Sequence, residues 1–337
     1  MVIGIDKTLT ICYGVVLYCK ATNEPMKPKM RTRYAYPIFS KAHPFTAFGS
    51  VPIFLLLGVL SDFAQSGIYL FTGSEETITL NPGTYDITAY GAQGAAASQA
   101  NWGVGGLGAE MSGRFSFPGL TTLTLLVGGT GGGYSQSPYA GGGGGGSFVV
   151  NGSAPLVVAG GGGGGGVWGA NDGRPGLIGT SGGDGYGPGA GLGGAGGNGG
   201  AASGADGGGG FLTAGGWGWS CPVPPDQSFL GGAAGGAGYA YGGNGGFGCG
   251  GGGSAWGGGG GGGYSGGGGG GNAGGGGGGG SIIDSLAIMV LAEVSGVASP
   301  DGSPNGEIVI TTVPEPSTPA LAGISVFSLL LFRRQRK

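Results

Sequence analysis

The sequence predicts an all-β fold: an antiparallel β-sandwich-like module with an inserted bundle of polyglycine helices, and little α-helix outside the two terminal segments. Three observations carry this. Short segments alternate apolar and polar residues at the strand period. Glycine makes up 96 of the 337 residues. The five longest glycine runs are each six or seven residues long.

From Ile68 to about Val127 the chain reads as short strands. Thr77-Ile78-Thr79-Leu80 alternates, Asn81-Pro82-Gly83 supplies a turn, and Tyr85 to Tyr90 alternates again. The segment GRFSFPGLTTLTLLVGG repeats the theme, with Leu123 and Leu125 on one face and Thr122 and Thr124 on the other. Within the glycine-rich zone, Gly128 to Gly280, Ser147–Gly152 and Ala154–Gly160 are two more strand candidates. After Ser281, SIIDSLAIMVLAEV and GEIVITTV read as closing strands. In the second, Ile308 and Ile310 alternate with Val309 and Thr311.

The glycine runs are Gly141–Gly146, Gly160–Gly166, Gly257–Gly263, Gly266–Gly271 and Gly274–Gly280. They lack a strict G-X-Y period and contain little proline, which excludes collagen. A flexible linker is one alternative. Scarce serine inside the runs, their near-equal lengths and the interleaved β-like segments weigh against it. The other is the threefold polyglycine helix, which has no internal hydrogen bonds and must bond laterally to neighbours. At roughly 3.1 Å per residue a seven-glycine run spans about 22 Å, so equal runs can stack in register. Ordering glycine costs more backbone entropy than ordering any other residue. Only a lattice that pairs most buried peptide groups offsets that.

Both ends carry export signals. Lys27, Lys29, Arg31 and Arg33 precede an apolar run from Val51 to Leu60, and Ala64-Gln65-Ser66 places small residues where a signal peptidase cuts. Residues 1–66 therefore read as a signal peptide with an unusual extension, or with a true start at Met26 or Met30. Residues 67–312 form the glycine-rich domain, and 313–337 a C-terminal signal. In that signal Pro314, Glu315 and Pro316 are followed by an apolar run from Ala320 to Phe332 and a basic tip of Arg333, Arg334, Arg336 and Lys337. The run is about 20 Å long as a helix, shorter than the ~17–25 residues of a stable span. The basic tip would lie on the cytoplasmic side.

This order resembles the PEP-CTERM sorting signal of Gram-negative bacteria, which an exosortase recognises and cleaves. An ordinary C-terminal anchor is the alternative, and the shortness of the run favours a temporary hold. The resemblance implies an inner-membrane-anchored precursor, then a cell-surface or extracellular-matrix protein. Exosortase and signal peptidase are its processing partners, and exopolysaccharide or other surface proteins its possible company.

Removal of both ends leaves Arg114 and Arg174 against twelve carboxylates, a net charge of −10 compared with −3 for the whole chain. Two cations cannot neutralise a phosphate backbone, which excludes nucleic acid. The acidic residues show no calcium-loop pattern, so a solvated acidic surface is favoured over Ca²⁺ binding. The sole histidine, His43, lies in the leader. Between residues 67 and 312 there is no histidine and no lysine, so a Ser-His-Asp or Cys-His site cannot be assembled there. Chance G-x-G-x-x-G strings lack the strand and helix that a dinucleotide site needs. No enzyme, metal or cofactor is expected.

The segments ITAYGAQGA, LTLLVGGTG, AGGGGGGSFVV, PLVVAGGGGGG, WSCP, GGFGCGGGG, GGGGGGGYSGG and GEIVI resemble the glycine-rich extracellular region of the anaplastic lymphoma kinase and leukocyte tyrosine kinase receptors. That resemblance implies a β-sandwich-like module holding a hexagonal polyglycine bundle, without the receptors' kinase domain. Cys221 and Cys249 fall inside these segments, and an oxidising compartment favours a disulfide between them over two free thiols. Closing that loop would contribute roughly 3.5 kcal/mol. Trp102, Trp168, Trp217, Trp219 and Trp256, with Tyr239, Tyr241 and Tyr264, punctuate the zone. They either cap the glycine rods and pack them onto the sheets, the favoured reading, or form a carbohydrate-stacking platform. The expected function is an exported structural or adhesive surface protein. The alternative is an extracellular module that binds a glycan or peptide.

Overall fold

Ten strands form two antiparallel sheets of five in this computed structural model, which describes residues 66–99, 101–132, 139–169, 171–218 and 227–314. In chain order they are β1 (Gly67–Leu70), β2 (Glu76–Leu80), β3 (Gly83–Tyr90), β4 (Gly108–Phe117), β5 (Thr121–Leu126), β6 (Ser147–Asn151), β7 (Ala154–Ala159), β8 (Ile282–Ile283), β9 (Met289–Val297) and β10 (Glu307–Val313). One sheet runs β1-β10-β3-β4-β9 and the other β2-β5-β6-β7-β8. The helical content among the described residues is a single 3₁₀ turn, Phe229–Gly231.

The sheets pack face to face. Tyr85, Ile87, Met111, Phe115, Ile308 and Ile310 from the first meet Leu80, Leu123, Leu125, Val149 and Val157 from the second. The alternation read in the sequence supplies this face. On the outer face of the first sheet, directly opposed residues of β3 and β4 make polar pairs. Asp86 faces Arg114, Thr88 faces Ser112 and Tyr90 faces Glu110. Arg114 donates to both carboxylate oxygens of Asp86, at 2.6 and 2.8 Å. The Thr88 and Ser112 hydroxyls lie 2.7 Å apart, and the Tyr90 hydroxyl donates to Glu110 at 3.2 Å.

β6 and β7 are apolar on both faces because both faces are covered. Phe148, Val150 and Val158 point away from the first sheet into a second cluster with Phe211, Phe229 and Cys249. Phe229 stacks between Phe148 and Phe211, with ring centroids 4.8 and 5.1 Å away.

One closing segment differs from expectation. SIIDSLAIMVLAEV is two strands in different sheets: β8 pairs with β7, while β9 pairs with β4. Asp284 makes the break. Its carboxylate accepts from the Leu286 N–H at 2.7 Å, and its carbonyl accepts from the Ala287 N–H at 3.0 Å. This local turn outcompetes a continuous strand. β10 also runs one residue past 312, with Val313 still opposite Thr84.

The glycine segments extend from one end of the sandwich. The run Gly160–Gly166 leaves β7 and shows the rule. Gly161 and Gly164 donate to Gly262 and Gly259; Gly162 and Gly165 to Ala92 and Ala95; Gly163 and Gly166 to Arg174 and Asn171. Its carbonyls accept in the same rhythm. Gly160, Gly163 and Gly166 take Ala109, Gly106 and Gly103; Gly161 and Gly164 take Gly279 and Gly276; Gly162 and Gly165 take Gly144 and Gly141. Six neighbouring segments thus surround the run, and each is revisited every third residue at 2.7 to 3.1 Å. The remaining N–H, on Gly160, donates to the Ser281 hydroxyl at 2.9 Å. Every peptide group of the run is paired, as burial requires.

None of the glycines in the five long runs has a positive φ. Their requirement is space. A Cβ on Gly160, Gly162, Gly163 or Gly164 would land on a neighbouring segment's backbone carbonyl, on Gly279, Gly106, Gly276 and Gly141 respectively.

Candidate functional site

Every strand that joins the glycine array does so at the same end of the sandwich. β3 ends and β4 begins there, and Ser147, Ala159 and Ser281 are the junctions of β6, β7 and β8. The hydrogen-bond register then fixes which residues lie at the opposite, distal end of the array. Gly166 is distal to Gly160, so Trp168 lies beyond it. Gly259 is level with Gly164, which places Trp256 at the same end; Gly103 is level with Gly166, which adds Trp102. Gly141 is level with Gly165, so Tyr139 is distal, and Gly243, level with Ala140, brings Tyr241 and Tyr239 there. Tyr186 lies level with Gly275, close to the same end. Trp217, between Gly216, bonded to Gly207, and Gly218, bonded to Asp206, is level with Gly260 and so with the middle of the runs, short of the distal end.

The array therefore ends in an aromatic pole. Trp168 is 58% exposed and Trp256 43%. Trp168 and Trp256 meet edge to face, 5.3 Å apart at 76°, and Tyr139 stacks on Tyr241 at 5.3 Å and 18°. The Arg174 guanidinium lies 5.9 Å from the centre of the Tyr186 ring. The rods end in side-chain caps: Asp172 accepts from the Val104 N–H at 2.9 Å, and the Ser254 hydroxyl from Trp256 and Gly257 at 3.1 and 3.2 Å. Tyr264 departs from the group. It sits at the sheet end, packed with Phe211. Trp219 lies outside the described residues.

Ser66 and Pro314, the first and last described residues, lie at the other pole. β10 runs antiparallel to β3, so Glu307 is beside Tyr90 at the array end and Val313 is beside Thr84 at the far end. β1 pairs with β10, with Gly67 opposite Ile310. The Thr312 N–H donates to the Ser66 hydroxyl at 3.3 Å. The expected signal-cleavage residue and the start of the sorting motif thus sit on neighbouring strands, with exposed Pro314 following directly. Glu315, Pro316, Arg333, Arg334, Arg336, Lys337 and Ala64 lie outside the described residues, as does the apolar run Ala320 to Phe332. Among the described residues no helix is long and apolar enough to cross a membrane. Cys249 is buried in the second cluster; Cys221, its expected partner, lies outside the described residues.

Sequence reasoning missed the serines at the ends of the glycine runs. The Ser147 hydroxyl donates to the Tyr90 carbonyl at 2.6 Å and accepts from the Gly128 N–H at 3.0 Å. Ser281 does the same between Leu177 (2.5 Å) and Gly160, and Ser265 between Thr180 (2.6 Å) and Gly197 (3.1 Å). All three are buried. Each supplies by side chain a donor and an acceptor where the lattice stops. The signal was present as a lone serine abutting three of the five runs, Gly141–Gly146, Gly266–Gly271 and Gly274–Gly280.

Burial and neighbouring carboxylates raise two phenols, Tyr69 beside Glu76 and Tyr90. The Tyr90 hydroxyl is pushed up to about 12, first by desolvation and then by the charges of Glu110 and Glu307.

No curated protein matches the chain, so the likeness to the receptor ectodomains has no support from that comparison. Residues 312–337 match the PEP-CTERM protein-sorting motif. The chain carries the mark of an exported protein that an exosortase processes and that its C-terminus holds transiently at the membrane.

Proposed function

We propose that the chain is a non-catalytic structural or adhesive protein of the cell surface or extracellular matrix, whose glycine array is a stiff spacer. In this reading the rods are threefold polyglycine helices, as the three-residue return of hydrogen-bond partners favours. The single observation that carries the function is polarity. Ser66 and Thr312, at the two ends of the described domain, meet at one pole, and the exposed Trp168 and Trp256 crown the other. Strands of eight residues add about 26 Å at ~3.3 Å each and seven-residue rods about 22 Å at ~3.1 Å each. The aromatic pole would then stand roughly 50 Å from the tethered end. Signal peptidase would release the N-terminus near Ser66. The exposed tryptophans also favour a second reading, an extracellular module that binds a glycan or peptide.

Replacing Glu315 or Pro316 by alanine tests the sorting step. The variant is expected to keep its C-terminal peptide and stay in the cell envelope, as read by intact mass and fractionation. Arrival at the surface at the unaltered protein's mass would remove the exosortase step from this account.

A further inference from the structure

We propose that the aromatic pole is a binding platform for a neutral polysaccharide, whose sugar rings stack on Trp168 and Trp256. The proposal rests on the display reading above and adds the chemistry of the ligand.

Three features select that class. The first is the kind of surface exposed. Large aromatic rings favour burial, and this fold has two cores that accept them, yet these two indoles keep about half their area in solvent. An indole face accepts the apolar C–H face of a sugar ring, and its N–H remains for a hydroxyl.

The second is rigidity. Trp168 follows the Gly160–Gly166 run by one residue, and Trp256 directly precedes the Gly257–Gly263 run. The Trp256 carbonyl accepts from the Ala273 N–H at 2.6 Å, and its own N–H is held by Ser254. Platforms at fixed separation suit a polymer with a fixed repeat, because little conformational freedom is lost on binding.

The third is charge. Gly128 to Gly280 contains Asp172, Asp184, Asp206, Asp226 and a single cation, Arg174. The mature chain, with two cations against twelve carboxylates, repels an acidic polymer. Rod-end N–H groups are also taken by Asp172 and Ser254, which removes the backbone edge that a peptide strand would use.

The test is affinity electrophoresis of the exported, processed protein through gels containing hydroxyethylcellulose, dextran, galactomannan or alginate. Retardation by at least one of the three neutral polymers is expected, and none by alginate. The double variant Trp168→Ala/Trp256→Ala should weaken the interaction at least about five-fold while melting like the parent. Because a variant can misfold, the unaltered protein supplies a second readout: acrylamide quenching of its tryptophan emission should fall when the binding polymer is added. No retardation by any neutral polymer, retardation by alginate alone, equal binding by a folded double variant, or unchanged quenching would each overturn the proposal. So would sedimentation showing a dimer that the double variant dissociates, since the pole would then be covered by a second copy. Correct sorting of a protein that fails these tests would leave the display reading standing and remove only the ligand.

Discussion

Gly163 and Gly276 approach so closely that a methyl group on the first would fall on the carbonyl of the second. Gly163 also donates to Arg174 at 2.8 Å and accepts from Gly106 at 2.9 Å, so it cannot retreat without breaking both bonds. Gly163→Val is expected to orphan at least two buried peptide groups, each worth about 1–3 kcal/mol. At ~2–4 °C per kcal/mol for a domain of this size, melting should fall by on the order of 10 °C. Gly179→Ala is the control, since nothing lies within 4 Å of its added Cβ, and its melting should match the parent or rise slightly. Identical curves for Gly163→Val and the parent would mean that the array does not exist in solution.

Ser147→Ala removes one donor and one acceptor from the junction between the array and β6. The Gly128 N–H and Tyr90 C=O lose their hydroxyl partner, a cost of about 1–3 kcal/mol for each group left unpaired. Melting should drop by several degrees, and the Gly128 amide should exchange faster with solvent. Unchanged exchange at Gly128 would show that the hydroxyl is dispensable.

Stability should decline in strong base through Tyr90. Its phenol ionises near 10 when unfolded and near 12 when folded, so the folded state holds the proton more tightly. This contribution is complete below about pH 10 and is lost as pH rises toward 12. Denaturant midpoints measured from pH 8 to 12 should fall less steeply for Tyr90→Phe than for the parent. Parallel curves would assign the alkaline loss to other groups.

A disulfide between Cys221 and Cys249 should appear in non-reducing peptide maps of the exported protein. The Cys249 end is anchored by Phe211 and Phe229 packing, so reduction should leave that end in place and lower the melting temperature. Recovery of both cysteines alkylated under denaturing conditions without prior reduction would exclude the bridge.

Much of the sandwich was legible because its core obeys a two-residue period: Leu123 and Leu125, or Ile308 and Ile310, announce their face without tertiary information. Asp284 hid the division of β8 from β9, since a local side-chain turn interrupts an apolar stretch that reads as one strand. The equal glycine runs were visible in the sequence, but not their register. Which run lies beside which depends on contacts such as Gly164 with Gly259, between segments that are chemically identical. For the same reason the polarity of the aromatic residues was invisible. Tyr264 and Trp256 each sit at a run boundary in sequence, and only the direction of the rod sends one to the core and the other to solvent.

The position of β10 between β1 and β3 has a mechanical consequence. A pull between the distal tryptophans and the C-terminus draws β10 along its own axis. Its ladder bonds to both neighbours lie across that axis, so they share the load and must fail together. Peeling from an edge would break them one at a time. A tether that leaves from an inner strand therefore makes the sandwich a shear joint, strongest along the line that joins its two poles.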